Sequence, residues 1–193
     1  MIIVSVSPKY QVVIPKSVRE ALNIQPGQKV QDSQSHRTLP AGGTSGVGSL
    51  TLPETGTIYL DASPIIYSIE KIAPYDALLN PLWQAAKSGQ LRLVGSELLL
   101  LETLVKPVQL GDHLLETAFR QFLHAREMQL VPVTTAILEE AIQLRAKTRI
   151  KTPDAIHVAT ARLAQCDLFL TNDYGLRQVA DLPLIVLQDI LSP

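Results

Sequence analysis

Four carboxylates stand beside apolar segments of the chain, where they could converge on one site. Asp61 and Asp173 each follow a run of strand-forming residues, and Asp154 opens the helical pattern TPDAIHVATA. Glu102 lies inside the strongly apolar helical pattern ELLLLETLVK. Converging carboxylates repel one another unless a cation joins them, and hard oxygen ligands suit Mg²⁺ or Mn²⁺. These residues therefore predict a metal-dependent phosphodiesterase site.

Structural interpretations compete with this one at several of the four positions. Thr152 is a good N-cap and Pro153 suits the first helical position, so Asp154 could simply stabilise the start of its helix. Asp173 could belong to an Asn-Asp turn, which is common after strands. Glu102 is costly to bury unpaired among leucines, so we expect it to face a metal, a basic partner or solvent.

Polar neighbours sharpen the prediction for the strand ends. Ser63, which precedes a proline, is the better N-cap for the helix after Asp61, and this leaves Asp61 without an obvious structural task. Thr171 and Asn172 could donate hydrogen bonds to a metal-bound water or a phosphate. His157 follows Asp154 by three positions, and we assign it to packing or to support of the site.

The elements that must position these side chains alternate between strand and helix over residues 57–193. About five β segments are separated by helical patterns, which predicts an α/β fold with a mainly parallel sheet and helices on both faces. We expect the helix in PYDALLNPLWQAAKSG to be broken or shifted by Pro81. The segment GDHLLETAFRQFLHAREM predicts one long amphipathic helix.

The N-terminal part of the chain differs in composition from the rest. Residues 1–31 carry four basic residues against one acidic residue, a net charge of +3 in a chain whose overall charge is −1. Their pattern predicts two short strands, a short helix and a third strand. Residues 32–56 hold five of the ten glycines and many Ser and Thr, so we predict a flexible linker there.

Composition sets further bounds on the protein. A hydrophobic fraction of 46% is sufficient for a packed core. The single cysteine, Cys166, excludes an internal disulfide framework and agrees with a reducing cytoplasm. The sequence shows neither a signal-peptide pattern nor the run of roughly 18 apolar residues that a membrane helix needs. We therefore expect a cytoplasmic protein without a membrane partner.

Residues 57–193 resemble a PIN domain of the VapC ribonuclease toxins, through YLDAS, SELLLLETLV, KTPDAIHVATA and FLTNDYGL. The resemblance implies a PIN-like α/β/α sandwich, a cognate antitoxin, and cleavage of RNA, such as a transfer or ribosomal RNA. It also implies Mg²⁺ or Mn²⁺ held by acidic residues with two hydroxyls in support: Asp61, Glu102, Asp154 and Asp173, with Ser63 and Thr171. Ala62 and Leu99 depart from the family pattern, but neither change removes a carboxylate.

Residues 1–31 resemble the start of an AbrB/SpoVT-type swapped-hairpin module, through SPKYQVVIPKSVREALNIQPGQKV. The resemblance implies a homodimer formed by interleaved hairpins and operator DNA contacted by Lys9, Lys16 and Arg19. In toxin–antitoxin operons such a module belongs to the antitoxin. The match ends near Gln31, so we interpret the chain as an incomplete antitoxin head fused to a whole toxin.

These observations favour a type II toxin that cleaves RNA with a metal-activated water. Two other functions stay open at this level. The first is a DNA-binding autoregulator whose PIN domain is an inert dimerisation unit. The second is an inactive or self-inhibited antitoxin–toxin hybrid that captures partner toxins or antitoxins.

Overall fold

The computed structural model describes residues 5–6, 12–13 and 48–191. The chain divides into two units, Met1–Gly43 and Thr44–Pro193. In the first unit, β1 (Ser5–Val6) pairs antiparallel with β2 (Val12–Val13). The predicted DNA contacts Lys9, Lys16 and Arg19 lie outside the described residues, as does most of the predicted linker.

The second unit alternates strands with helices, as its sequence pattern predicts. The strands are β3 (Gly56–Leu60), β4 (Leu91–Ser96), β5 (Met128–Val131), β6 (Leu168–Thr171) and β7 (Leu184–Val186). The helices are α1 (Ala62–Ile69), α2 (Tyr75–Lys87), α3 (Leu98–Leu110), α4 (His113–Leu123), α5 (Thr135–Lys147), α6 (Thr152–Leu163) and α7 (Leu187–Leu191), with a 3₁₀ helix at Tyr174–Gln178. Among the described residues, no helix combines the length and hydrophobicity that crossing a membrane requires.

The five strands of the second unit form one parallel sheet in the order β5-β4-β3-β6-β7. The chain builds outward from β3 through β4 and β5, and then crosses to the opposite side of β3 to add β6 and β7. This reversal makes the carboxyl ends of β3 and β6 the switch point of the sheet, where open α/β folds form a crevice. The predicted parallel α/β fold is confirmed.

Apolar side chains of the sheet face both ways, because successive residues of a strand point to opposite faces. Ile58 and Leu60 of β3 join a core with α1, α2, α3 and α4, whereas Tyr59 joins a second core with α5 and α6. In α6, Ala155 and Ala159 are fully buried, and their small side chains let the helix lie close to the sheet. The result is the predicted α/β/α sandwich.

Two helices differ from the expectation. Helix α2 runs unbroken through Pro81, because Leu79 and Leu82 anchor it to the core on both sides of the proline, so the predicted break is wrong. Helix α4 stops at Leu123, earlier than predicted, and is capped by Asp112, whose carboxylate accepts from the backbone N–H of Leu115. In the predicted linker segment, Leu50 is buried in the core of the second unit.

Candidate active site

Asp61 lies directly after β3, at the switch point of the sheet. Its backbone N–H donates to the carbonyl of Leu170, and its Oδ1 accepts from the backbone N–H of Ala62 at 2.8 Å. Asp61 is therefore the N-cap of α1, and our assignment of that cap to Ser63 is wrong. The reason is that α1 begins two residues earlier than expected, which places Ser63 inside its first turn.

The predicted supporting residues join the ends of β3 and β6. The buried hydroxyl of Thr171 donates to Oδ2 of Asp61 at 2.5 Å and accepts from the backbone N–H of Asp173 at 3.0 Å. The backbone N–H of Asn172 donates to Oγ of Ser63 at 3.0 Å. The side-chain amide of Asn172 donates to the hydroxyl of Tyr67 at 2.9 Å, so it is engaged within the protein.

The carboxylate of Glu102 contacts the imidazole of His157. Its Oε2 lies 2.8 Å from Nε2 of His157, and the same nitrogen lies 4.0 Å from Oδ1 of Asp61. One possible ligand atom from each of Asp61, Glu102 and His157 lies within 4.8 Å of the other two. The expectation that Glu102 needs a basic partner, a metal or solvent agrees with this contact.

His157 is more central to the cluster than its sequence position indicates. It is only 2% exposed on α6, and its Nδ1 lies 2.7 Å from the hydroxyl of Tyr59. Burial by itself would lower the pKa of His157, but the bond to Glu102 and the charges of Asp61, Glu102 and Asp154 outweigh it and raise the pKa. The site therefore stabilises positive charge.

Asp154 lies in the first turn of α6, as predicted. The N-cap is Lys151 rather than Thr152, because the helix already includes Thr152; Oδ2 of Asp154 accepts from the backbone N–H of Lys151 at 3.3 Å. Burial raises the pKa of Asp154, and the negative charges of Asp173 and Asp61 raise it further, while the Lys151 bond opposes them. Asp154 therefore shares an electrostatic field with both strand-end carboxylates.

Asp173 begins the 3₁₀ helix after β6, and its Oδ1 accepts from the backbone N–H of Gly175 at 2.7 Å. Its side chain thus has the turn role that its sequence neighbours indicate, and its negative charge raises the pKa of Asp154. Among the described residues, the structure brings Asp61, Glu102 and His157 within 4.8 Å of one another, whereas Asp154 and Asp173 lie outside this group of three. Asp61 and Glu102 supply its oxygen donors. Such a donor set suits a hard divalent cation, which would also relieve the repulsion among the carboxylates.

The sequence analysis assigns His157 to packing or to support of the site and gives Tyr59 no place in it. A signal for His157 is present in the sequence, because residues three positions apart lie on neighbouring parts of one helix face, which places His157 beside Asp154. A signal for Tyr59 is the period of the strand, which directs Tyr59 and Asp61 to the same side of β3. Neither signal specifies Glu102 as the shared partner.

Two protein-family models match the chain. The model described as PIN domain matches residues 58–182, which is more than half of the chain. The model described as antidote-toxin recognition MazE, bacterial antitoxin, matches residues 3–31. The predicted combination of a PIN domain with an antitoxin-type head is confirmed by these matches. No curated protein matches the chain.

Solved structures of low sequence identity share the fold. The chain is similar to one from VapBC2 of Rickettsia felis bound to a DNA fragment from their promoter, with 17% identity and a TM-score of 0.56. It is also similar to one from a toxin–antitoxin complex of Klebsiella pneumoniae, with 19% identity and a TM-score of 0.51. Each similarity covers 67% of this chain and 97% of the other chain.

Proposed function

The chain belongs to the PIN-domain family, and from that premise we propose that it is a metal-dependent endoribonuclease, the toxin of a type II toxin–antitoxin system. One observation carries the proposal. Asp61 and Glu102 bring carboxylate oxygens within 4.8 Å of each other, together with Nε2 of His157, at the carboxyl end of β3. Like charges at this separation repel, so their approach is favoured when a cation joins them.

The residues present fit Mg²⁺ or Mn²⁺. Asp61, Asp154 and Asp173 would hold the ion, with Glu102 as a further ligand or as the base that orients water. Against the effect of burial, the bond to Glu102 and nearby carboxylate charges raise the pKa of His157, and burial followed by the charges of Asp173 and Asp61 raises that of Asp154. A divalent ion would neutralise this negative charge. When bound, such an ion would lower the pKa of a water molecule and stabilise the charge that develops on the phosphate.

The chain itself supplies orientation. Oδ1 of Asp61 accepts from Ala62 and Oδ2 accepts from Thr171, so the plane of the carboxylate is fixed while lone pairs remain on both oxygens. Oε2 of Glu102 accepts from His157, which leaves Oε1 to take a proton from an attacking water. These contacts support an in-line hydrolysis of a phosphodiester bond in RNA.

The test is cleavage of total RNA and transfer RNA by the full chain with Mn²⁺ or Mg²⁺. We expect cleavage that EDTA stops and that Asp154→Asn reduces at least 100-fold. Asp112→Asn is the matched control, because it makes the same chemical change at a helix N-terminus outside the carboxylate cluster. Equal cleavage by wild type and Asp154→Asn, or cleavage that persists in EDTA, would contradict the proposal.

A second candidate function is autoregulation through operator DNA, and the match of residues 3–31 to a bacterial antitoxin model favours it. On this proposal the N-terminal segment dimerises, contacts DNA through Lys9, Lys16 and Arg19, and joins a cognate antitoxin in a complex. Binding of the full chain to operator DNA should weaken steeply with salt, and Lys16→Gln should reduce the slope by about one. DNA binding without RNA cleavage would favour this function over the first.

A further inference from the structure

We propose that Tyr59 and His157 form a positioning pair, which holds the Glu102 side chain near Asp61 in the metal-free protein. The proposal rests on the proposed function, because it concerns the same carboxylates. It assigns a role to two residues outside the proposed set of metal ligands. The hydroxyl of Tyr59 bonds Nδ1 of His157 at 2.7 Å, and Nε2 of His157 bonds Glu102 at 2.8 Å.

The direction of the second bond follows from its acceptor. A carboxylate oxygen only accepts, so Nε2 of His157 must carry the hydrogen and donate it to Oε2 of Glu102. A nitrogen that carries a hydrogen has no lone pair to offer a metal. His157 therefore acts through Glu102, although its Nε2 lies only 4.0 Å from Oδ1 of Asp61.

Tyr59 holds the other end of the imidazole. Its hydroxyl can donate to Nδ1 of a neutral ring or accept from Nδ1 of a charged ring, so it satisfies that nitrogen in either state. Tyr59 is fully buried, and its ring stacks on Phe169 with centroids 4.8 Å apart and planes 21° apart. The Tyr59 ring is thus fixed by its stacking on Phe169, and the His157 ring is fixed by hydrogen bonds at both of its nitrogens.

The pair also connects three of the four elements that carry or adjoin the predicted ligands. Tyr59 lies on β3, two residues before Asp61, and His157 follows Asp154 by one turn on α6. The bond from His157 to Glu102 adds α3 to this connection, across 55 positions of sequence. Glu102 and Asp61 would otherwise move apart by repulsion, so a buried donor that holds Glu102 pre-organises the site.

The test measures Mn²⁺ binding to the full chain by electron paramagnetic resonance, and RNA cleavage separately as kcat and KM. Tyr59→Phe removes one hydroxyl and keeps the ring stack, so it should weaken Mn²⁺ binding about 10-fold. His157→Leu should weaken it by about 10- to 100-fold, and His157→Gln should recover part of that loss, because its amide can donate to Glu102. In cleavage, kcat should fall while KM for RNA stays within about twofold.

Ser68→Ala is the matched control, because it also removes one buried hydroxyl, which donates to Pro64 and accepts from Trp83. It should leave Mn²⁺ affinity unchanged. The proposal is overturned if Tyr59→Phe binds Mn²⁺ like wild type, or if His157→Gln loses as much affinity as His157→Leu. If Tyr59→Phe weakens Mn²⁺ binding but wild type does not cleave RNA, the proposed function fails and the positioning role stands.

Discussion

The hydroxyl of Thr171 donates a hydrogen bond of 2.5 Å to Oδ2 of Asp61, and this bond joins the carboxyl ends of β6 and β3. The two residues are 110 positions apart in the chain. Because β3 and β6 are the neighbouring strands at which the sheet reverses its order, the bond crosses the switch point itself. Thr171 thus fixes the orientation of a predicted ligand from the adjacent strand.

Replacing Thr171 by Val should therefore weaken both stability and metal binding. The substitution keeps the shape of the side chain but removes a buried hydrogen bond to a charged group, which is worth about 1.5–3 kcal/mol. Calorimetry should show a fall in Tm of several degrees, and Mn²⁺ affinity should drop several-fold. Thr171→Ser, which keeps the hydroxyl, is the control, and equal behaviour of the two variants would argue against a role for the bond.

Divalent metal should stabilise the folded chain, because it binds a cluster that exists only in the native state. Saturation at 100 times the dissociation constant adds about 2.7 kcal/mol to the free energy of unfolding. Thermal unfolding with Mn²⁺ and with EDTA measures this shift. Asp61→Asn should remove most of it, whereas Asp112→Asn should retain it. An unshifted Tm at saturating Mn²⁺ would remove the main support for a shared metal site.

Much of the fold can be predicted from local patterns in this sequence. Alternating apolar runs predicted the order of strands and helices, and the parallel sheet follows because each strand returns through a helix. Helix propensity alone predicts a break at Pro81, but buried leucines on both sides of the proline hold the helix together. The continuity of α2 through Pro81 therefore depends on tertiary packing and not on local helix propensity.

The part of the site that lies at strand ends could be predicted from the sequence, whereas the part that depends on helix packing could not. Strand ends at a switch point form a crevice, so the positions of Asp61 and Asp173 could be read along the chain. The bond between Glu102 and His157 could not be predicted from the sequence, because it joins α3 to α6 and depends on how both helices pack. The capping role of Asp61 also differs from the prediction, because the cap depends on where α1 begins and the helix begins two residues earlier than expected.

Cys166 should be a slow nucleophile. Burial and, to a smaller extent, the charge of Asp167 raise the pKa of its thiol to about 12, while Arg92 opposes them. The thiolate is the reactive form, so at pH 8.5 alkylation by iodoacetamide should be on the order of 1000-fold slower than in the unfolded chain. Mass spectrometry of alkylated protein over time measures the rate.

Asp167→Asn provides the control for Cys166, because it removes the charge while keeping an oxygen that can accept the backbone N–H of Thr57. Its Cys166 should be alkylated faster than that of wild type. Equal rates in the folded and unfolded wild type would show that the thiol is not shielded.

Asp154 should make the metal-free protein less stable as pH rises. Its pKa in the folded state lies above the ordinary value of 3.8, so the folded state binds the proton more tightly than the unfolded state. The free energy of unfolding therefore falls as pH increases from about that ordinary value through the raised pKa, and it levels off above. Asp154→Asn does not titrate and should lack this fall.

The order of stability of wild type and Asp154→Asn should consequently reverse with metal. In EDTA at neutral pH the variant should be slightly the more stable, by less than about 1 kcal/mol because solvent screens the partly exposed carboxylate. With saturating Mn²⁺ wild type should become the more stable, since a cation converts the repulsion of Asp61 and Asp173 into attraction. Unfolding by urea under both conditions measures the two differences. A variant that is less stable by the same amount in both conditions would show that Asp154 serves its helix rather than a metal.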